Sequence, residues 1–158
     1  MTVCVDGRGT GARGREFRQQ TYMNLGQMEA QDQVAAARWL QRREDVDADR
    51  IGIWGWSYGG FMTLMAMSQT DAPFRCGIAV APVTDFRLYD SAYTERFMRR
   101  PQANEGGYKA CALPEMAERL QGRLLLCHGL ADDNHFLRKR RNQEHVYQRK
   151  MKFLKEWL

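Results

Sequence analysis

The segment Gly55-Trp56-Ser57-Tyr58-Gly59 constrains this chain more than any other. The run Arg50-Ile51-Gly52-Ile53-Trp54-Gly55-Trp56 leads into it and reads as a strand. Phe61 to Met67 follows Gly59-Gly60 as an unbroken apolar run and reads as a buried helix. A serine on a sharp turn between strand and helix must hold a strained backbone, with small residues on both sides so that the two elements can approach. The hydroxyl then stands clear of the sheet. The N–H of the next residue, Tyr58, can point at a developing oxyanion.

Other strands are expected at Thr2–Val5, Cys76–Val80 and Leu124–Cys127. Leu25 to Arg43 is expected to be helical, with Leu25, Met28, Ala35, Ala36, Trp39 and Leu40 as its apolar positions and Asn24 as N-cap. Gln143 to Leu158 reads as an amphipathic helix whose stripe is Tyr147, Met151, Leu154 and Leu158, flanked by Val146, Phe153 and Trp157. Strands that are apolar throughout and alternate with helices imply an α/β fold, with a mostly parallel sheet covered by helices. Arg99 to Gln121 has no clear period. No repeat or second domain is visible.

Composition narrows the class. The chain has 158 residues, 44% hydrophobic and 27% charged, which excludes a disordered tail or a disulfide miniprotein. No apolar run is long enough to span a membrane, and the first six residues show no signal peptide. The net charge of +5 is concentrated in Arg138, Lys139, Arg140 and Arg141. That run has no interleaved aromatics, so it reads as a solvated face and no nucleic-acid partner is expected. Cys4, Cys76, Cys111 and Cys127 form no CxxC pair and are not spaced with the histidines as metal ligands. They read as buried free thiols, and no metal is expected.

Gly9-Thr10-Gly11-Ala12-Arg13-Gly14 matches G-x-G-x-x-G after an apolar run. A dinucleotide site also needs a helix opening at the glycines and an acid at the end of a second strand. Arg15 to Tyr22 is polar and lacks a helical stripe, and Glu29 and Asp32 fall within the expected helix. The stretch Asp6 to Gly14 is therefore expected to be a loop.

Several stretches together resemble the prolyl oligopeptidase family of serine peptidases, in its dipeptidyl peptidase IV branch. They are Asp6-Gly7-Arg8-Gly9, Arg50 to Gly60, Gly77 to Val83, Tyr89 to Arg96 and His128 to Asn134. The resemblance implies an α/β-hydrolase fold, no cofactor, and a Ser-Asp-His triad in that order. Ser57 would be the nucleophile, Asp132 the triad acid and Tyr58 a donor to the oxyanion. Tyr58, Val83, Phe86, Tyr89 and Tyr93 match the wall that accepts a proline or alanine side chain, the last three at spacings that would share one helix face. Asn134 matches the residue that holds the substrate carbonyl. The implied reaction removes N-terminal dipeptides, Xaa-Pro or Xaa-Ala, from a peptide substrate through an acyl-enzyme. The resemblance also allows a homodimer and a periplasmic or extracellular setting.

The triad histidine has no counterpart. His128 precedes Asp132. His135 falls on the same expected loop, and His145 matches a position inside the family's last helix. Asn134 meets His135 directly, where the family has an apolar residue between them. Residues 1–158 are thus expected to be an incomplete hydrolase domain, without the N-terminal strands, the oxyanion-hole tyrosine or the β-propeller. An internal deletion is expected near residues 137–142. Such a chain would be inactive alone, or a non-catalytic remnant of the fold.

Overall fold

The computed structural model describes residues 1–129 and 139–158. A short helix α1 (Arg15–Gln19) precedes α2 (Gln27–Leu40), followed by β1 (Gly52–Trp56), α3 (Tyr58–Met67) and β2 (Cys76–Val80). Next come a 3-10 turn at Phe86–Leu88 and the helix α4 (Ser91–Met98). A 3-10 turn at Pro101–Ala103, α5 (Glu105–Ala110) and a 3-10 segment at Leu113–Arg119 fill the stretch that had no clear period. The strand β3 (Arg123–Cys127) and the helix α6 (Arg140–Trp157) complete the described elements.

The three strands pair in parallel in the order β1-β2-β3, with Trp54 level with Ile78 and Leu125 and Trp56 level with Val80 and Cys127. β2 is buried along its whole length. One face of the sheet lies under α3, with α2 behind it; Phe61, Met65 and Met67 of α3 are fully buried there. Each such side chain contributes about 1.5–3 kcal/mol of burial free energy. The other face packs Ile78, Val80, Trp56, Leu125 and Cys127 against Val146, Phe153 and Leu154 of α6. The expected α/β architecture with a covered parallel sheet is the one observed.

Some local expectations differ. Thr2–Val5 forms no strand: Val3 is about half exposed, and the Val5 carbonyl accepts from the Gln33 side chain at 3.3 Å. β-branched residues favour extension, but a strand needs a ladder, and this segment makes no backbone hydrogen bond to β1. It lines a cavity of 620 Å³ at the outer edge of β1, together with Ala36, Leu40, Trp54 and Met62. Cys4 is consequently exposed, whereas Cys76 and Cys111 are buried and Cys127 is half-buried.

The buried stripe of α2 is Ala30, Val34 and Ala37, not Ala35 and Trp39. Trp39 lies outside, with the Arg43 guanidinium 5.3 Å from its ring. On α6 the expected stripe residues Tyr147 and Met151 are exposed, whereas Leu154, with the expected flanks Val146 and Phe153, does meet the sheet, and Lys150 is buried beside them. The Lys150 ammonium lies over the Trp54 and Tyr147 rings, at 3.6 and 5.1 Å. α1 does open directly after Gly14, steadied by a bond from Arg15 to Gln19, but it buries no residue.

Candidate active site

Ser57 stands at the carboxyl end of β1 with φ 58° and ψ −117°, in the left-handed half of backbone space that a non-glycine residue rarely occupies. Its N–H donates to the Val80 carbonyl at 2.8 Å, and its carbonyl accepts the first α3 ladder bond from Phe61 N at 3.0 Å. The turn is thereby pinned to both the sheet and the helix. Tyr58 is the first residue of α3, and its N–H is one of the donors that a helix leaves without an internal acceptor.

The steric demand falls on one side only. A Cβ on Gly55 would collide with the backbone carbonyl of Gly59, whereas a Cβ on Gly59 meets no described atom within 4 Å. The expectation of required small residues on both sides therefore holds at Gly55. At Gly59 it is the backbone itself, and not the missing side chain, that lies close to the strand.

The wall residues come together from three segments. The Tyr58 ring lies 5.3 Å from Phe61 and 6.3 Å from Phe86. Phe86 meets Tyr89 edge-on at 6.4 Å, and Tyr89 meets Tyr93 in the same way at 5.5 Å. Val83 is half-buried against the same core. Phe86, Tyr89 and Tyr93 do not share one helix, because Asp85 caps one turn before Phe86 and Asp90 starts a second helix after Tyr89. Asp85 accepts from Arg87 N at 2.9 Å to cap the 3-10 turn, and Asp90 accepts from Tyr93 N at 2.8 Å to cap α4. Phe86 is 2% exposed and packs into the core, while Tyr89 and Tyr93 are more than a third exposed.

Glu29 joins this group without having been expected there. Its Oε1 accepts the Tyr58 hydroxyl at 2.7 Å, and its Oε2 accepts Gly26 N–H at 2.9 Å. Burial raises the Glu29 pKa above its ordinary value, partly offset by the Tyr58 hydrogen bond. Burial, then the neighbouring carboxylate, raises that of Tyr58 and keeps its phenol protonated. Behind Glu29, Asp32 takes the Arg8 guanidinium through Nε at 3.0 Å and Nη2 at 2.6 Å, and Arg8 N–H at 2.7 Å, tying the glycine-rich loop to α2. Glu29 was legible only as the third residue of a helix capped at Gly26, where a carboxylate reaches back to the cap N–H. With Asn24 as the expected cap, it falls out of register.

Asp132, Asn134 and His135 lie outside the described residues. His128, directly after β3, is exposed, with its Nδ1 2.8 Å from the Gly129 carbonyl. His145 is exposed on α6. Among the described residues no histidine is hydrogen-bonded to Ser57, and no group of three His, Cys, Asp or Glu could hold a metal.

A parallel sheet with a strained serine at its carboxyl edge, turning straight into a buried helix, defines the α/β-hydrolase fold. Residues 1–137 match the model of the prolyl oligopeptidase family, and the chain belongs to that family. It is 52% identical over 136 residues to a protein named "Probable dipeptidyl-aminopeptidase B" from Neurospora crassa, and 52% identical to the protein of the same name from Pyrenophora tritici-repentis. Each alignment covers 85% of this chain, but only 15% and 16% of those relatives. The crystal structure of dipeptidyl peptidase 4 from Porphyromonas gingivalis superposes with a TM-score of 0.92 at 44% identity, covering 98% of this chain and 26% of that one.

Proposed function

We propose that the chain carries the catalytic core of a serine exopeptidase that removes N-terminal dipeptides with proline or alanine second. The observation that carries this is the strained backbone of Ser57, held between the Val80 carbonyl and the start of α3. In the reaction, Ser57 Oγ attacks the carbonyl carbon after the second residue and passes its proton to an imidazole. The Tyr58 N–H stabilises the oxyanion. The tetrahedral adduct collapses to an acyl-enzyme, the imidazole proton leaves with the peptide amine, and water then releases the dipeptide. Asp132 orients the imidazole, and Asn134 holds the substrate carbonyl. The Tyr58, Val83 and Phe86 surface, with Tyr89 and Tyr93 at its rim, accepts the second side chain. The similarity to proteins named dipeptidyl peptidases supports this substrate class.

We further propose that residues 1–158 alone turn over little or no substrate. The imidazole has no counterpart in the sequence, and the family match ends at residue 137, beside the basic run where the deletion is expected. A second reading, a non-catalytic remnant of the fold, is favoured by the placement of His128 and His145, which leaves neither bonded to Ser57. A fluorophosphonate probe separates the two. Slow labelling that Ser57→Ala abolishes supports an incomplete catalytic site; complete silence supports the remnant. Rapid hydrolysis of a Gly-Pro amide, lost in Ser57→Ala, would overturn the proposed inactivity.

A further inference from the structure

The Tyr58 side chain has two ends with different surroundings. Its ring packs against Phe61 and Phe86, and its hydroxyl reaches Glu29 on another helix. Glu29 is itself fixed. Its second carboxylate oxygen accepts Gly26 N–H, and Gly26 holds φ 87° with the Phe61 ring so close that an added Cβ would lie 2.5 Å from Phe61 Cζ. The start of α2 and the first turn of α3 are therefore one assembly, joined through the Glu29 carboxylate. A tyrosine hydroxyl held between two helices needs a partner, because a donor left unsatisfied away from water is destabilising. The Glu29 carboxylate supplies it from α2, so the Tyr58 O–H is already engaged within the protein and its ring is left to pack with Phe61 and Phe86.

We infer that Glu29 is a positioning residue for substrate selection: by taking the Tyr58 hydroxyl, it sets the ring next to Ser57 and keeps a hydrogen-bond donor out of the pocket for the second side chain. The inference rests on the proposed peptidase pocket and deepens it. Apolar, hydroxyl-free side chains such as proline are favoured because Tyr58 and Phe86 meet them with ring carbon. Without the carboxylate the phenol must find another acceptor, and a polar side chain in the pocket can provide one. Selection for proline over serine at that position then weakens.

The test uses the full chain with tyrosine labelled by ¹³C at Cζ, the Tyr58 signal being assigned through Tyr58→Phe. Binding of Ala-Pro amide and Ala-Ser amide is followed by NMR, so turnover is not needed. Glu29→Ala is expected to move the Tyr58 signal, to weaken Ala-Pro amide about tenfold and to narrow its advantage over Ala-Ser amide. Glu29→Gln, which keeps a neutral acceptor, is expected to lie between the parent and the alanine variant. In the Tyr58→Phe background, Glu29→Ala is expected to change affinity less than about twofold. An equal loss in both backgrounds would reduce Glu29 to a helix cap and overturn the inference. So would an unmoved Tyr58 signal. If Glu29→Ala does not fold, the step from Glu29 to Gln decides by the same two readouts. If the parent chain binds neither amide, the pocket reading fails, and the Tyr58 signal alone decides whether Glu29 positions that ring.

Discussion

The Gly59 carbonyl occupies the space that a side chain on Gly55 would need. The strand and helix that carry Ser57 can meet only because Gly55 brings no side chain into that space. Gly55→Ala is therefore expected to force β1 and α3 apart, and overpacking against backbone costs about 1–3 kcal/mol or more. Gly59→Ala, which meets no described atom and sits in a helix, is expected to be neutral or up to about 1 kcal/mol stabilising. Urea melts of the two variants check this pair; equal losses would contradict the one-sided geometry.

Arg8 and Asp32 form the next checkable link. The Arg8 hydrogen bonds hold the Asp32 carboxyl below the usual carboxylate range. A carboxyl depressed in the folded state contributes stability above its unfolded pKa, near 3.8, and loses it as pH falls through the lower folded value. Asp32→Asn is expected to lower the melting temperature by a few degrees at neutral pH and to flatten the acid limb of the stability profile below about pH 4. Thermal melts across that range decide it. A parallel offset at every pH would mean that the carboxylate charge is not what matters.

Much of this fold is legible in the amino-acid sequence. Two of the strand spans, Cys76–Val80 and Leu124–Cys127, coincide with β2 and β3 to within one residue, because buried parallel strands are continuous apolar runs bounded by breakers. The elbow was legible because its chemistry needs a particular residue order over a short span. Legibility failed where a partner from elsewhere decides the outcome. Thr2–Val5 has the composition of a strand but no ladder, and Lys150 is buried although no apolar stripe of α6 marks its position. Glu29 was hidden by a two-residue shift of one cap. Asp90, a good N-cap, marks the break that separates Phe86 from Tyr93.

The thiols give a third prediction. Cys4 is exposed, and Cys76 and Cys111 are buried. Burial raises the Cys76 pKa, and pushes that of Cys111 up to about 11. Because the thiolate is the nucleophile, Cys111 at pH 7 presents only about one part in ten thousand in reactive form. An aromatic disulfide reagent is expected to modify Cys4 first, Cys127 more slowly, and Cys76 and Cys111 only after denaturant is added. Peptide mapping of the labelled chain reads the order. Early modification of Cys111 would show that its surroundings open in solution.

Lys150 yields the last prediction, and the competing effects can be ranked. Its side chain crosses the α6 face of the sheet at 7% exposure, with its ammonium over Trp54. Burial lowers its pKa below the ordinary 10.5. Between the lowered folded value and 10.5 the unfolded chain binds more protons, so stability from this group rises with pH across that window. Lys150→Met keeps the apolar stem and removes the charge. The lost cation–π contact is worth about 0.5–2 kcal/mol. The desolvation removed with it is of similar or larger size, since replacing a buried charge by an apolar side chain is often neutral or stabilising. Lys150→Met is thus expected to be neutral to about 1 kcal/mol more stable at pH 7, with the alkaline rise abolished. Lys150→Ala, which also removes the stem, is expected to cost about 1–2 kcal/mol through lost packing. Denaturant melts at pH 7 and pH 10 on the three chains measure both quantities. A Lys150→Met variant clearly weaker than its parent would show that the contact with Trp54, and not the cost of burying the charge, governs this face.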